Sequence, residues 1–169
     1  LQMAKTYLEK NRPVYEFNGG IAYHMEDEFT KARYHVSSQQ VWWEKTDAML
    51  SDQLRIRSED EEQFIYLIVN NYTGPGVYHL HKGDIMASSR DGEPIELSDE
   101  SVARVEIKND RNGQIDGVFS ISGMKDDSGK ARSYRLFDGQ FQASANPPED
   151  RMKDSPTEKL LVKNQAGKD

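Results

Sequence analysis

The sequence contains no cysteine, no long apolar run and no excess of basic residues, and each absence narrows what the chain can do. Without cysteine, the 169 residues form neither disulfides nor thiolate metal sites, and they offer no cysteine nucleophile. The longest apolar run, residues 64–69, is far shorter than the ~18 residues that a membrane-spanning helix needs. The net charge of -7 disfavours nucleic acid and anionic membranes. We therefore expect no nucleic-acid partner and no transmembrane segment in this chain.

Hydrophobic side chains follow a period of two over most of the chain, which is typical of β-strands with one buried face. Leu54 and Ile56, for example, alternate with two arginines. Such segments recur between turn signals such as Asn112-Gly113, which tolerates the positive φ of a tight hairpin. The pattern predicts an all-β domain, an antiparallel barrel or sandwich of about 8–10 short strands.

The pattern changes at both ends of the chain and divides it into three parts. Residues 1–12 have apolar side chains at i, i+4 spacing before Pro13, which predicts a short N-terminal helix. Residues 13–144 form the predicted antiparallel β domain. Residues 145–169 contain three prolines and mixed charges, which predict an irregular C-terminal tail or strap.

Glycine, proline and acidic runs mark the predicted interruptions between strands. Asp138-Gly139 predicts a tight turn, and Pro94 predicts an irregular segment because proline cannot donate to a ladder. The acidic residues 26–28 and 59–62 predict solvated loops. Gly139 predicts a position of close backbone approach or positive φ.

Among the residues of the sequence, the histidines are the best candidates for metal ligands. His79 and His81 are two residues apart, so a strand would place both imidazoles on one face, but an ion would need a third ligand from another strand. We interpret both as solvated side chains. No serine elbow, phosphate loop or complete calcium loop occurs at the required spacing. The sequence therefore predicts a non-enzymatic protein with no cofactor, in which His79 and His81 are the metal candidates.

Two groups of residues are candidates for binding. Aromatic side chains of the type that lines cavities and interfaces form the first group, although the same side chains also suit a packed core. This group comprises Trp42, Trp43, Tyr66, Tyr78 and Tyr134. Acidic side chains suited to a basic protein partner form the second group. It comprises Glu26, Asp27, Glu28, Glu59, Asp60, Glu61 and Glu62.

Four motifs occur in a recognisable order: Asn-Gly-Gly at residues 18–20, Gly-Pro-Gly-Val-Tyr at residues 74–78, Gly-Val-Phe at residues 117–119 and Asp-Gly-Gln-Phe at residues 138–141. This order resembles small all-β domains of unknown function in exported lipoproteins of Bacteroidetes-type bacteria. The chain departs from the family pattern at Val77, where Thr is usual, and it has no lipid-carrying cysteine. The resemblance covers residues 14–144. It implies a lipocalin-like barrel or sandwich in an exported, periplasmic or outer-membrane-anchored protein, with the cytoplasm as the alternative location.

Three functional hypotheses follow from these features. The first is a non-enzymatic binding or interaction domain of the bacterial cell envelope with an unknown protein partner. The second is a lipocalin-like carrier, in which the aromatic residues hold a small apolar ligand inside the barrel. The third is an immunity-type inhibitor, whose acidic residues cover a basic protein.

Overall fold

The structure is a computed structural model that describes residues 17–48, 51–126 and 132–145. The predicted helix in residues 1–12 and the tail beyond residue 145 lie outside the described residues. The described residues form ten strands. They are β1 (Gly20–Asp27), β2 (Arg33–Ser38), β3 (Val41–Ala48), β4 (Ser51–Glu59), β5 (Phe64–Asn70), β6 (Gly76–Leu80), β7 (Ile85–Ser88), β8 (Pro94–Arg111), β9 (Gln114–Asp126) and β10 (Ser133–Ala145).

Seven strands close into a barrel in the order β10-β3-β4-β5-β7-β8-β9 and back to β10. The pairings round this ring are antiparallel except that of β10 with β3, which is parallel and joins Ser144 to Trp42 and Ala145 to Trp43. β1 pairs with β10 and β2 pairs with β1, while β6 pairs with β8. The all-β prediction is confirmed, and the architecture is a barrel with one parallel closure.

Three strands are longer than the sequence predicts. β8 has 18 residues, and β9 and β10 have 13 each. Pro94 begins β8 instead of an irregular segment, because the first residue of a strand does not need to donate to the ladder. The predicted turn at Asp138-Gly139 is wrong: Asp138 has a φ of 52°, and the register of β10 with β9 shifts between Leu136 and Gly139. The motif therefore makes a bulge, which bends β10 without reversing it.

Large aromatic side chains pack against one another in the core of the barrel. The ring centroid of Phe119 lies 5.8 Å from that of Tyr23 and 6.3 Å from that of Phe141. Gly139 makes room for this packing, because a Cβ atom there would lie 2.6 Å from three ring carbons of Phe119. A Cβ atom at Gly117 would likewise lie 2.6 Å from Phe141. The predicted close approach at Gly139 is thus confirmed.

The two ends of β8 carry different turns, and these turns position the residues discussed below. The β7–β8 turn precedes β8 and contains Arg90 and Asp91. The β8–β9 turn follows it at Asn112-Gly113, where φ values of 56° and 76° confirm the predicted hairpin. Within the described residues, no helix is long and apolar enough to cross a bilayer.

Candidate binding site at one end of the barrel

A polar cleft opens at the end of the barrel where β8 begins. It has a volume of about 280 Å³. We call this feature the polar cleft. Its lining consists of Asp27, Tyr34, Arg90, Asp91, Arg132 and Tyr134. β1, β2, the β7–β8 turn and the start of β10 each supply part of this lining. The site therefore depends on elements that are distant in sequence.

Asp27 ties the cleft to the turn between β1 and β2. Its side chain is buried, and its Oδ1 atom accepts hydrogen bonds from the backbone N–H groups of Phe29 (2.9 Å) and Thr30 (3.1 Å). Its backbone carbonyl accepts another from the N–H of Lys31 at 2.8 Å. These bonds fix a turn in which Phe29 is 83% exposed, two residues from the cleft wall.

Two arginines give the cleft its hydrogen-bond donors. The guanidinium carbon of Arg90 lies 4.4 Å from the ring centroid of Tyr34, a cation–π distance. The guanidinium group of Arg132 interacts with the hydroxyl group of Tyr134. Burial raises the pKa of Tyr134 and outweighs the opposing effect of this interaction, so the phenol keeps its proton. With the carboxylates of Asp27 and Asp91, the cleft presents groups that pair with either sign of charge.

The first acidic segment is largely buried. Glu26 and Asp27 lie in β1, not in the predicted solvated loop, and both are buried. Glu26 Oε2 accepts hydrogen bonds from Arg33 (2.5 Å) and Arg135 (3.4 Å), which neighbouring strands place opposite it. The bond from Arg33 lowers the pKa of Glu26, against the opposing effect of burial. Glu28 is half-buried, and its Oε1 atom accepts a hydrogen bond from the N–H of Gly123 at 3.2 Å.

The second acidic segment is mostly solvated. Glu59 is half-buried at the end of β4, whereas Asp60, Glu61 and Glu62 are exposed in the β4–β5 turn. This turn lies near the β7 end that leads to the cleft, because the N–H of Phe64 donates to Ser88 Oγ at 2.9 Å. The structure therefore places these three acidic side chains at the same end of the barrel as the cleft.

The five candidate aromatic residues lie in three separate places. Tyr134 lines the polar cleft. Trp42 and Tyr66 share the outer face of the barrel, where both are register partners of Arg57. The guanidinium carbon of Arg57 lies 5.1 Å from the Tyr66 ring centroid. Trp43 and Tyr78 lie elsewhere, at the opposite end from the cleft, so the five residues do not form one site.

We call the cluster at that opposite end the aromatic rim, which consists of Trp43, Lys45, Tyr72, Tyr78 and Asp110. Asp110 Oδ2 lies 2.9 Å from Lys45 Nζ and accepts a hydrogen bond of 2.6 Å from the Tyr72 hydroxyl. Lys45 Nζ also lies 5.1 Å and 5.6 Å from the ring centroids of Trp43 and Tyr72. Burial raises the pKa of Tyr72, and its contact with Asp110 raises it further. Within the rim, the Asp110 carboxylate therefore pairs with both the Lys45 ammonium group and the Tyr72 hydroxyl.

The histidines also separate into two places. His79 on β6 and His81 in the following turn are exposed. In the part of the chain that the structure describes, no group of three or more His, Cys, Asp or Glu residues is placed to hold a metal ion. His24 on β1 is instead the register partner of His35 on β2.

Comparisons with known proteins found no relative of this chain: no family model, no curated protein and no solved structure matches it. Four residues of the cleft were not predicted from the sequence, namely Tyr34, Arg90, Asp91 and Arg132. Arg90 and Asp91 precede Gly92 in a turn, which predicts that they are exposed but not what they face.

Proposed function

We propose that the chain is a non-enzymatic binding domain for a short charged segment of a protein partner, and that the polar cleft receives this segment. The observation that carries the proposal is the cleft itself, in which two guanidinium groups and two carboxylates surround about 280 Å³ beside an exposed Phe29. A volume of this size suits a single charged side chain or a chain terminus, since pockets for larger ligands start at about 300 Å³. Exposed aromatic side chains commonly anchor protein partners.

The position of β2 gives the proposal a second support. Among the described strands, β2 stands at one end of the sheet order and has β1 as its neighbour. Tyr34 belongs to β2 and lines the cleft. An extended segment that continues the sheet along the outer edge of β2 would therefore pass the cleft and leave one side chain inside it.

A peptide library displayed on phage tests the proposal. Peptides selected on the unmodified chain should carry a charged residue and bind the double variant R90A/R132A about tenfold more weakly or worse, because two charge-assisted donors are lost. The double variant R104A/R111A is the matched control, since it removes two exposed arginines of β8. Equal binding of the selected peptides to both double variants would exclude the cleft as their site.

An immunity-type inhibitor is the second candidate function. The exposed Asp60, Glu61 and Glu62 support it, because they lie at the same end as the cleft and would attract a basic partner. Replacing all three with lysine should slow association with a basic selected peptide and weaken its salt dependence. An unchanged association rate would count against this function. A carrier of small apolar ligands has less support, because Tyr23, Phe119 and Phe141 occupy the barrel interior.

We further propose that the protein acts in the bacterial cell envelope, either exported to the periplasm or anchored to the outer membrane. The support is the resemblance of its four motifs to domains of exported lipoproteins. Fractionation of cells that express the natural gene tests this location. Recovery of the protein in the cytoplasmic fraction would contradict it.

A further inference from the structure

A cross-strand histidine pair lies on the outer face of β1 and β2. His24 and His35 are register partners, and their ring centroids are 5.0 Å apart with an interplanar angle of 56°. The chain neighbours of His24, which are Tyr23 and Met25, belong to the core, so the His24 imidazole is on the outward face. Its register partner His35 shares this face, and both histidines are half-buried. Neither residue takes part in the polar cleft or the aromatic rim.

The separation of the two rings matches the geometry of a shared metal ion. An imidazole nitrogen binds zinc at ~2.0–2.1 Å, which places the ring centroid about 3.2 Å from the ion. Two such rings at a tetrahedral angle have centroids about 5 Å apart. We propose that His24 and His35 form a two-histidine site for a divalent transition-metal ion, with water in the remaining coordination positions.

The neighbouring side chains define what kind of site this is. Phe137 stacks on His24, with centroids 5.3 Å apart and an interplanar angle of 24°, and so restrains the ring of this ligand. Glu26, on the same face of β1, is held by Arg33 and Arg135. The carboxylate is therefore engaged, and water completes the coordination. Imidazole ligands favour Cu²⁺ over Zn²⁺ by the usual order of affinities, so Cu²⁺ should bind more tightly.

Binding would link the edge strand β2 to β1. β2 carries Tyr34 of the polar cleft, but the proposed metal site uses none of the cleft residues. The test of the metal site is therefore independent of the test of the proposed function.

Titration of the full chain with Cu²⁺ alone, followed by calorimetry and electron paramagnetic resonance, tests the proposal. We expect one ion per chain with two coordinated nitrogens. The single variants H24Q and H35Q should each bind about tenfold more weakly or worse and show one nitrogen. The double variant H79Q/H81Q is the matched control, because it removes the exposed pair near β6, and it should bind as the unmodified chain does.

The opposite pattern would overturn the proposal: unchanged binding by H24Q and H35Q, or loss of binding in H79Q/H81Q. A measurement on the unmodified chain keeps the test independent of how the variants fold. Paramagnetic Cu²⁺ should broaden backbone NMR signals of residues 23–25 and 34–36. Broadening confined to residues 78–82 would equally overturn it.

Discussion

The aromatic rim and the polar cleft lie at opposite ends of β8 and are built from the same kinds of side chain. Each combines aromatic rings with basic groups and carboxylates. At the rim, Asp110 is shared by Lys45 and Tyr72 within hydrogen-bond distance. At the cleft, comparable groups surround an open volume of about 280 Å³. Composition alone therefore does not distinguish a structural cluster from a binding site.

The two ends differ in how extensively their polar groups form hydrogen bonds within the protein. Trp43 Nε1 at the rim donates to the Gly113 carbonyl at 3.0 Å, which ties β3 to the β8–β9 turn. Asp27 at the cleft bonds its own turn, while Arg90 and Asp91 project from a short turn. We therefore expect substitutions at the rim to change stability, and substitutions at the cleft to change binding.

The largest loss of stability should come from a substitution in the barrel interior, which lies between the two ends. The substitution G139A places a methyl group against the Phe119 ring, where a Cβ atom has only 2.6 Å. We expect a loss of about 3 kcal/mol in the free energy of unfolding, measured by urea denaturation. The double variant G139A/F119L should recover part of this loss, because leucine vacates the contact. A fully tolerated G139A would indicate free space inside the barrel and would revive the carrier hypothesis.

At the rim, D110A should have the next largest effect. It removes the acceptor of the Tyr72 hydroxyl and the counterion of Lys45. We expect a loss of about 2 kcal/mol in the free energy of unfolding, because a largely buried donor is left without its partner. D91A at the cleft is the matched control and should change stability by less than about 0.5 kcal/mol. Equal losses in the two variants would remove the distinction between the ends.

The rim should also make stability depend on pH. Burial tends to raise the pKa of Asp110, but hydrogen bonds from Tyr72 and Lys45 outweigh it and lower the pKa overall. The resulting stabilisation is present above the pKa of about 3.9 of an unfolded aspartate, and it is lost as the pH falls through the lower folded value. The difference in unfolding free energy between the unmodified chain and D110N should therefore shrink on acidification below pH ~4. A difference that grows on acidification would contradict this assignment.

The smallest change in stability is expected beside the cleft. F29S replaces an exposed side chain, so the free energy of unfolding should stay within about 0.5 kcal/mol of its original value. Its affinity for peptides selected on the cleft should nevertheless fall several-fold, because an aromatic anchor is lost. V102S is the control, since Val102 is also exposed but lies on β8. Equal peptide affinities for F29S and V102S would remove Phe29 from the interface.

Local sequence signals predicted the fold class because their causes are local. Leu54 and Ile56 are buried and alternate with Arg55 and Arg57, which are less buried, and this alternation marks their strand. Asn112-Gly113 makes the predicted hairpin because both residues adopt positive φ. Asp138-Gly139 carries a similar signal but makes a bulge, since the packing of Phe119 against Gly139 fixes the backbone there. Turn chemistry could not distinguish these outcomes.

The sites were harder to predict because they depend on register. Glu26 is acidic in sequence and is therefore expected in solvent, but β2 and β10 place Arg33 and Arg135 opposite it. The cleft likewise brings together Tyr34 of β2 and Arg132, which immediately precedes β10 and is almost 100 residues away in the chain. No local sequence pattern predicts such a contact between residues that are distant in the chain.

The parallel pair of β3 and β10 has a consequence for synthesis on the ribosome. It joins segments about 100 residues apart, so hairpins such as β3–β4 and β8–β9 can form early while the ring stays open. Until β10 emerges, β3 and β9 present bare backbone edges to other chains. We therefore expect the nascent chain to be most prone to aggregation before β10 is synthesised.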